Sequence, residues 1–275
     1  MTDEPSTPGE SPNGIWASSL ADLVSYRHLG CTSQQVDRDH AVGTMRLRRD
    51  MRSSAGLLSA PVTIAMLDTA GICIDRVYFL GLTHIEVQLL DPAADVHTLR
   101  VQGTVVRWAR TQVFTEATFV SDADPTRVIG VGVADWAVIA PTPEGFVYTD
   151  PSRAEEVDES QLPPLPLAYD ATPIDGGHEI SILSSRIGGV ALHHGPILVT
   201  LEATAMELAA ATGAGSLAVE HASVRIVKAG TAGPFRTSGT IVHDGASVLV
   251  RTELIDHGNG NTLVAVAHHR LRRGN

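Results

Sequence analysis

The chain is predicted to be an α+β protein built twice over, on three observations. Residues 59–70 align without a gap against residues 194–205, about 135 positions later, with Pro61 on Pro196 and Thr69-Ala70 on Thr204-Ala205. The match resumes where Gly103-Thr104-Val105-Val106-Arg107 meets Gly239-Thr240-Ile241-Val242-His243, one residue further out of step. Around both matches the hydrophobic pattern runs in one order: a strand, a mostly apolar helix, then several long strands. Stacked-repeat proteins recur every 20 to about 50 residues, so this wider spacing marks a duplicated domain. A chain of 275 residues is long enough for two cores of ordinary size.

Each element follows from local chemistry. Residues 1–14 are rich in Pro, Ser, Gly and acids and predict a disordered tail. In residues 15–29, Ile15, Leu20, Leu23, Val24 and Leu29 recur at roughly helical intervals, as in a short amphipathic lead helix. Tail and lead helix occupy residues 1–40, and the first domain residues 41–140. Its first strand, 41–48, alternates in polarity. Residues 61–75 are apolar almost all round, which predicts a helix buried on most sides, with Pro61 suited to its first turn. Strands are expected at 83–90, 99–110, 112–120 and 128–139, punctuated by Asp91-Pro92 and the turn from Asp122 to Pro125. Residues 141–177, with Leu162-Pro163-Pro164-Leu165-Pro166 at their middle, read as an irregular linker. The second domain, 178–275, repeats the order: a strand at 179–185, a helix at 196–211, and strands at 218–227, 235–243, 247–256 and 262–271. Two such units side by side protect each other's sheet edges.

Composition excludes several classes of function. Hydrophobic residues make up 43% of the chain and charged ones 19%, a balance that supports packed domains. The formal charge of −11 argues against a nucleic-acid partner, which would be held by clustered Lys and Arg. No apolar segment is long enough to span a bilayer and no cationic start leads into an apolar run, so no membrane partner is expected and the chain reads as cytoplasmic. Cys31 and Cys73 have no zinc-type spacing, and the His193-His194 and His268-His269 doublets lack an acid at ligand distance. The expectation is no metal and no cofactor.

Both copies resemble hotdog domains of the PaaI and 4-hydroxybenzoyl-CoA thioesterase type. That family carries His-Gly-Gly, then about five residues, then Leu-Ala-Asp-Thr-Ala on the central helix. His194-Gly195-Pro196 fills the first motif in the second copy, with Pro196 in place of the second glycine. Met66-Leu67-Asp68-Thr69-Ala70 fills the second motif in the first copy. The later segments Val105–Arg110 and Ile241–Ala246 also fit, so the resemblance covers both halves. It implies a double hotdog, each domain a long central helix wrapped by an antiparallel sheet, with acyl-CoA as the substrate of a thioesterase. It also implies assembly into a homodimer or higher homo-oligomer of double hotdogs.

The site residues follow from the resemblance, position by position. Asp68 takes the place of the acid that acts as base or nucleophile, while Ala203 occupies that place in the second copy. Gly195 takes the place of the backbone N–H donor to the thioester oxygen, supported by His194; Ser59 and Ala60 stand there in the first copy. The halves are thus complementary and imply one site. An N–H at a helix N-terminus, where the dipole is positive, lowers such a barrier by roughly 3 kcal/mol. Thr69, Ser59, Ala60 and Glu202 complete the expected substrate surroundings, with Glu202 on the rim. Arg46 and Arg48, in the densest positive cluster, are candidates for the CoA phosphates. Two other readings compete: a degenerate hotdog that binds acyl-CoA or another apolar ligand without turnover, and an enoyl-CoA hydratase or dehydratase, for which no Asp or Asn with a His five residues on is found.

Overall fold

The computed structural model of the protein describes residues 23–75, 77–141, 159–213 and 215–274. The first half contributes helix α1 (Val24–Leu29), strands β1 (Thr32–Gln35), β2 (His40–Arg46), β3 (Arg52–Ser53) and β4 (Gly56–Leu57), and the central helix α2 (Ser59–Ile74). The long strands β5 (Tyr78–Leu89), β6 (Thr98–Trp108), β7 (Gln112–Ser121) and β8 (Val128–Pro141) follow. Next come the short helix α3 (Leu165–Ala168) and the strands β9 (Thr172–Ile174) and β10 (Gly177–Ile180). The second half then has its own central helix, α4 (His194–Ala210), and strands β11 (Leu217–Ile226), β12 (Phe235–Asp244), β13 (Ser247–Asp256) and β14 (Thr262–Arg273).

Among the described residues, twelve strands form one sheet in the order β1-β2-β6-β7-β8-β5-β11-β14-β13-β12-β10-β9, paired antiparallel throughout. The order is palindromic: β2, β6, β7, β8 and β5 on one side correspond to β10, β12, β13, β14 and β11 on the other. The halves join through β5 and β11, from His84 opposite Arg225 to Gln88 opposite His221. This is an α+β fold, and the edge strand of each half is covered by the other, as an unpaired edge requires. No helix among the described residues is long and apolar enough to cross a membrane.

Every residue of α2 is buried, in keeping with its nearly unbroken apolar sequence. The helix lies on β2 and β6, and α4 lies on β12 and β13. Glycine makes the close approach possible: a Cβ on Gly43 of β2 would stand 2.2 Å from Thr69 Oγ1 of α2. The predicted lead helix appears as α1, which Gly30 ends with a left-handed φ of 64°; Ile15, Leu20 and the predicted tail lie outside the described residues. So do residues 142–158 of the predicted linker. Its remainder is more ordered than its proline content suggests, because Leu165, Ala168, Tyr169 and Ala171 are buried in the core and anchor α3 and the β9–β10 hairpin.

Candidate active site

The two central helices lie side by side and antiparallel, so the start of each meets the middle of the other. Two crossings result, and an acid stands at each.

At the first crossing, Glu202 of α4 meets the start of α2. Its Oε1 accepts hydrogen bonds from the Ser59 N–H at 2.7 Å and the Ser59 hydroxyl at 2.5 Å, and its Oε2 from the Ala60 N–H at 2.9 Å. The first N–H groups of a helix have no intrahelical acceptor, and a carboxylate there is further favoured by the dipole. Burial pushes the Glu202 carboxyl up while these bonds hold it down. Glu202 is therefore buried and acts as a cap, where the sequence suggested a rim residue. Ser59 and Ala60 spend their donors on it.

At the second crossing, Asp68 of α2 meets the start of α4. Among the described residues, both carboxyl oxygens of Asp68 are buried without a hydrogen-bond partner, as is Nε2 of His194. The two groups face each other at 3.9 Å, too far for a hydrogen bond. Burial, and next the negative Asp75, push the Asp68 carboxyl well above its usual range. Burial, and next His193, push His194 well below the usual imidazole range, so it is neutral and the two groups do not form an ion pair. His193 stacks on His194 with ring centroids 3.8 Å apart, and burial pushes it down to about 4.

Segments outside the repeat roof this crossing. Ser25 of α1 sets its hydroxyl 3.3 Å from His193 Nδ1. It also explains Gly195: a Cβ there would lie 2.0 Å from Ser25 Oγ and 3.0 Å from Tyr169 Cε1. The close approach that glycine permits is made by α1 and by Tyr169, which follows α3. Tyr169 is fully buried and meets His28 edge-on at 6.1 Å between ring centroids. Behind it, His28 Nε2 lies 2.8 Å from Asp50, and Arg48 donates to the same carboxylate through Nε and Nη2 at 3.1 Å each.

The remaining expected site residues lie elsewhere. Thr69 is on the sheet side of α2, its hydroxyl donating to the Ala65 carbonyl at 2.7 Å with Ser33 Oγ at 3.3 Å. Arg48 is buried and committed to Asp50, while Arg46 is exposed and paired with Glu159 at 2.7 Å. The structure thus brings Asp68, His194 and Gly195 together and gives Thr69, Ser59, Ala60, Glu202 and Arg48 structural partners. Ser25 and Tyr169 were not found by sequence reasoning, because neither belongs to the repeat that signalled the site.

Solved structures place this architecture. A TesB protein of Mycobacterium avium subsp. paratuberculosis superposes with a TM-score of 0.61 at 14% identity, over 94% of this chain and 100% of that one. A conserved protein of Alicyclobacillus acidocaldarius, described as having a hot dog fold, gives 0.57 at 12% identity, over 93% and 98%. The chain has the hotdog fold. Acyl-CoA thioesterase II TesB2 of Mycobacterium marinum gives 0.55 at 13% identity, over 88% and 95%. No family model matches the sequence, and no curated protein does. At these identities the likeness is one of hotdog fold.

Proposed function

We propose that the chain is a tandem double hotdog, kin to the PaaI and 4-hydroxybenzoyl-CoA thioesterase type, that hydrolyses an acyl-CoA thioester at the crossing of Asp68 and His194. One observation carries the reading. Of two equivalent acid-to-helix crossings, that of Glu202 is saturated with hydrogen bonds, whereas that of Asp68 holds a carboxyl and an imidazole nitrogen buried with no partner. Leaving such groups unpaired costs about 1–3 kcal/mol each, a cost expected where a ligand completes the network. The likeness in fold to acyl-CoA thioesterase II TesB2 of Mycobacterium marinum supports the chemistry.

In this mechanism Asp68 accepts a proton from a water molecule whose oxygen forms a bond to the thioester carbon. The carbonyl oxygen becomes an oxyanion, stabilised by the Gly195 N–H at the start of α4. Collapse breaks the carbon–sulfur bond, and the thiolate of CoA takes the proton back from Asp68. The raised affinity of Asp68 for protons makes its carboxylate a stronger base than an exposed aspartate. Neutral His194 keeps one nitrogen facing Asp68 and orients the water or the substrate carbonyl.

The test is release of free thiol from short, medium, long and aromatic acyl-CoAs, with Asp68→Asn as the control. Turnover in the wild type that collapses in the variant, with binding retained, supports the hydrolase. The rival is a degenerate hotdog that binds acyl-CoA without turnover, favoured by the packing of Ser25 against Gly195. Measurable acyl-CoA binding by both proteins, with no thiol release from any substrate, would put that reading first.

A further inference from the structure

Six buried side-chain polar atoms lack hydrogen-bond partners among the described residues; three of them meet where α2 crosses the start of α4, and a fourth is carried by a ring packed against Gly195. These four are Oδ1 and Oδ2 of Asp68, Nε2 of His194 and the hydroxyl of Tyr169. The first three belong to the motif helices. The fourth comes from the segment between the domains, which the hydrolytic mechanism above does not use.

The Tyr169 ring lies against the first turn of α4. Its Cε1, bonded to the carbon that carries the hydroxyl, would stand 3.0 Å from a Cβ on Gly195. Burial first, and then the Asp68 carboxyl, push the phenol up, against the opposing pull of the Ser25 hydroxyl, so it stays protonated and presents an O–H. Pro196 removes one N–H from the start of α4, so a hole built there has one donor fewer than a helix start with glycine at that position. The Ser25 hydroxyl, beside the phenol, shares a hydrogen bond with Nδ1 of the neutral His193 at 3.3 Å. By geometry the Tyr169 hydroxyl is buried with no hydrogen-bond partner among the described residues, and Ser25 is the side-chain hydroxyl beside it.

We infer that Tyr169 is a catalytic residue of this site, its hydroxyl donating a hydrogen bond to the thioester oxygen in the place that Pro196 leaves without an N–H. The inference rests on the thioesterase reading. The ring is held for the role: its backbone N–H bonds the Leu165 and Pro166 carbonyls, and His28 meets its edge. The donor is thus preorganised toward the oxygen where charge develops.

Tyr169→Phe tests this in the full chain, because it removes one oxygen and keeps the ring packing. Two readouts are combined. The first is kcat on whichever acyl-CoA of the panel turns over fastest, with the melting temperature measured in parallel. The second is the carbonyl stretch of an octanoyl-CoA analogue with a 13C-labelled carbonyl and a methylene in place of sulfur, which binds without hydrolysis. The expected result is a fall of about 100-fold in kcat, a KM within a few-fold, an unchanged melting temperature and a stretch that moves up in frequency. A kcat within twofold of wild type with an unmoved stretch would overturn the role of Tyr169 and leave the thioesterase reading intact. If the wild type hydrolyses nothing but the stretch still moves in the variant, the donor stands and the hydrolase falls. If the analogue does not bind, both fall.

Discussion

Glu202 and Asp68 face equivalent helix starts from opposite sides, one residue out of step in the repeat, and their environments are opposite. Glu202 receives three hydrogen bonds and closes its crossing; Asp68 receives none and leaves its crossing chemically open. One acid thus holds the two helices together, while the other is buried without that bonding among the described residues. The lesson is that burial alone does not identify a functional acid. What separates the two is whether the surrounding donors are already spent.

The sharpest break of this comparison is to remove each acid in turn and read activity and stability together. Asp68→Asn is expected to lower kcat/KM by about 1000-fold or more, since it removes the base itself. Glu202→Ala should act on stability instead, by about 3 kcal/mol or more, because the start of α2 loses all three hydrogen bonds to a charged partner and a cavity opens. Chemical denaturation followed by circular dichroism reads the second effect. Equal stability losses in both variants would erase the distinction between a spent and an unspent acid.

Most of the fold was legible before any coordinates, and the reasons are physical. The long strands and both central helices stand where alternation and apolar runs put them; β13, for example, runs over Ser247–Asp256 as expected. Asp68, His194 and Gly195 were legible as members of a duplicated motif. The capping role of Glu202 was not, because its partners lie 143 and 142 positions away and nothing in local sequence links them. Tyr169 was hidden for a different reason: prolines around Leu165 read as irregular chain, whereas Leu165, Ala168 and Tyr169 are core residues that fold the segment over the site. Within the positive cluster, the pairing of Arg48 with Asp50 was not legible either, because residue spacing does not show which acid a buried arginine meets.

The roof over the open crossing offers a second contrast. Gly195→Ala should destabilise by about 1–3 kcal/mol, since the added methyl would stand 2.0 Å from Ser25 Oγ. Gly195→Ala combined with Ser25→Gly should recover most of that loss, a coupling measurable as a double-mutant cycle. Strict additivity would mean that α1 does not set the need for glycine.

The smallest effects are in pH dependence, and they separate the two kinds of buried group at the same crossing. His193 is held down to about 4, below the 6.5 or so of an unfolded chain. Its neutral burial therefore contributes stability above about pH 6.5 that is lost as pH falls toward 4. Asp68 runs the other way: its folded value lies above the unfolded value of about 3.9, so its burial costs nothing in acid and destabilises as pH rises toward the folded value. Asp68→Ala, which copies Ala203 of the second helix, should be no more stable than wild type by this route at about pH 3.5. At about pH 8 the variant should gain relative to wild type by roughly 1 kcal/mol, partly offset by the smaller side chain. Denaturation midpoints of both proteins across this range check it. A difference that stays flat with pH would mean that Asp68 is solvated or paired in the folded protein, and the contrast with Glu202 would lose its electrostatic basis.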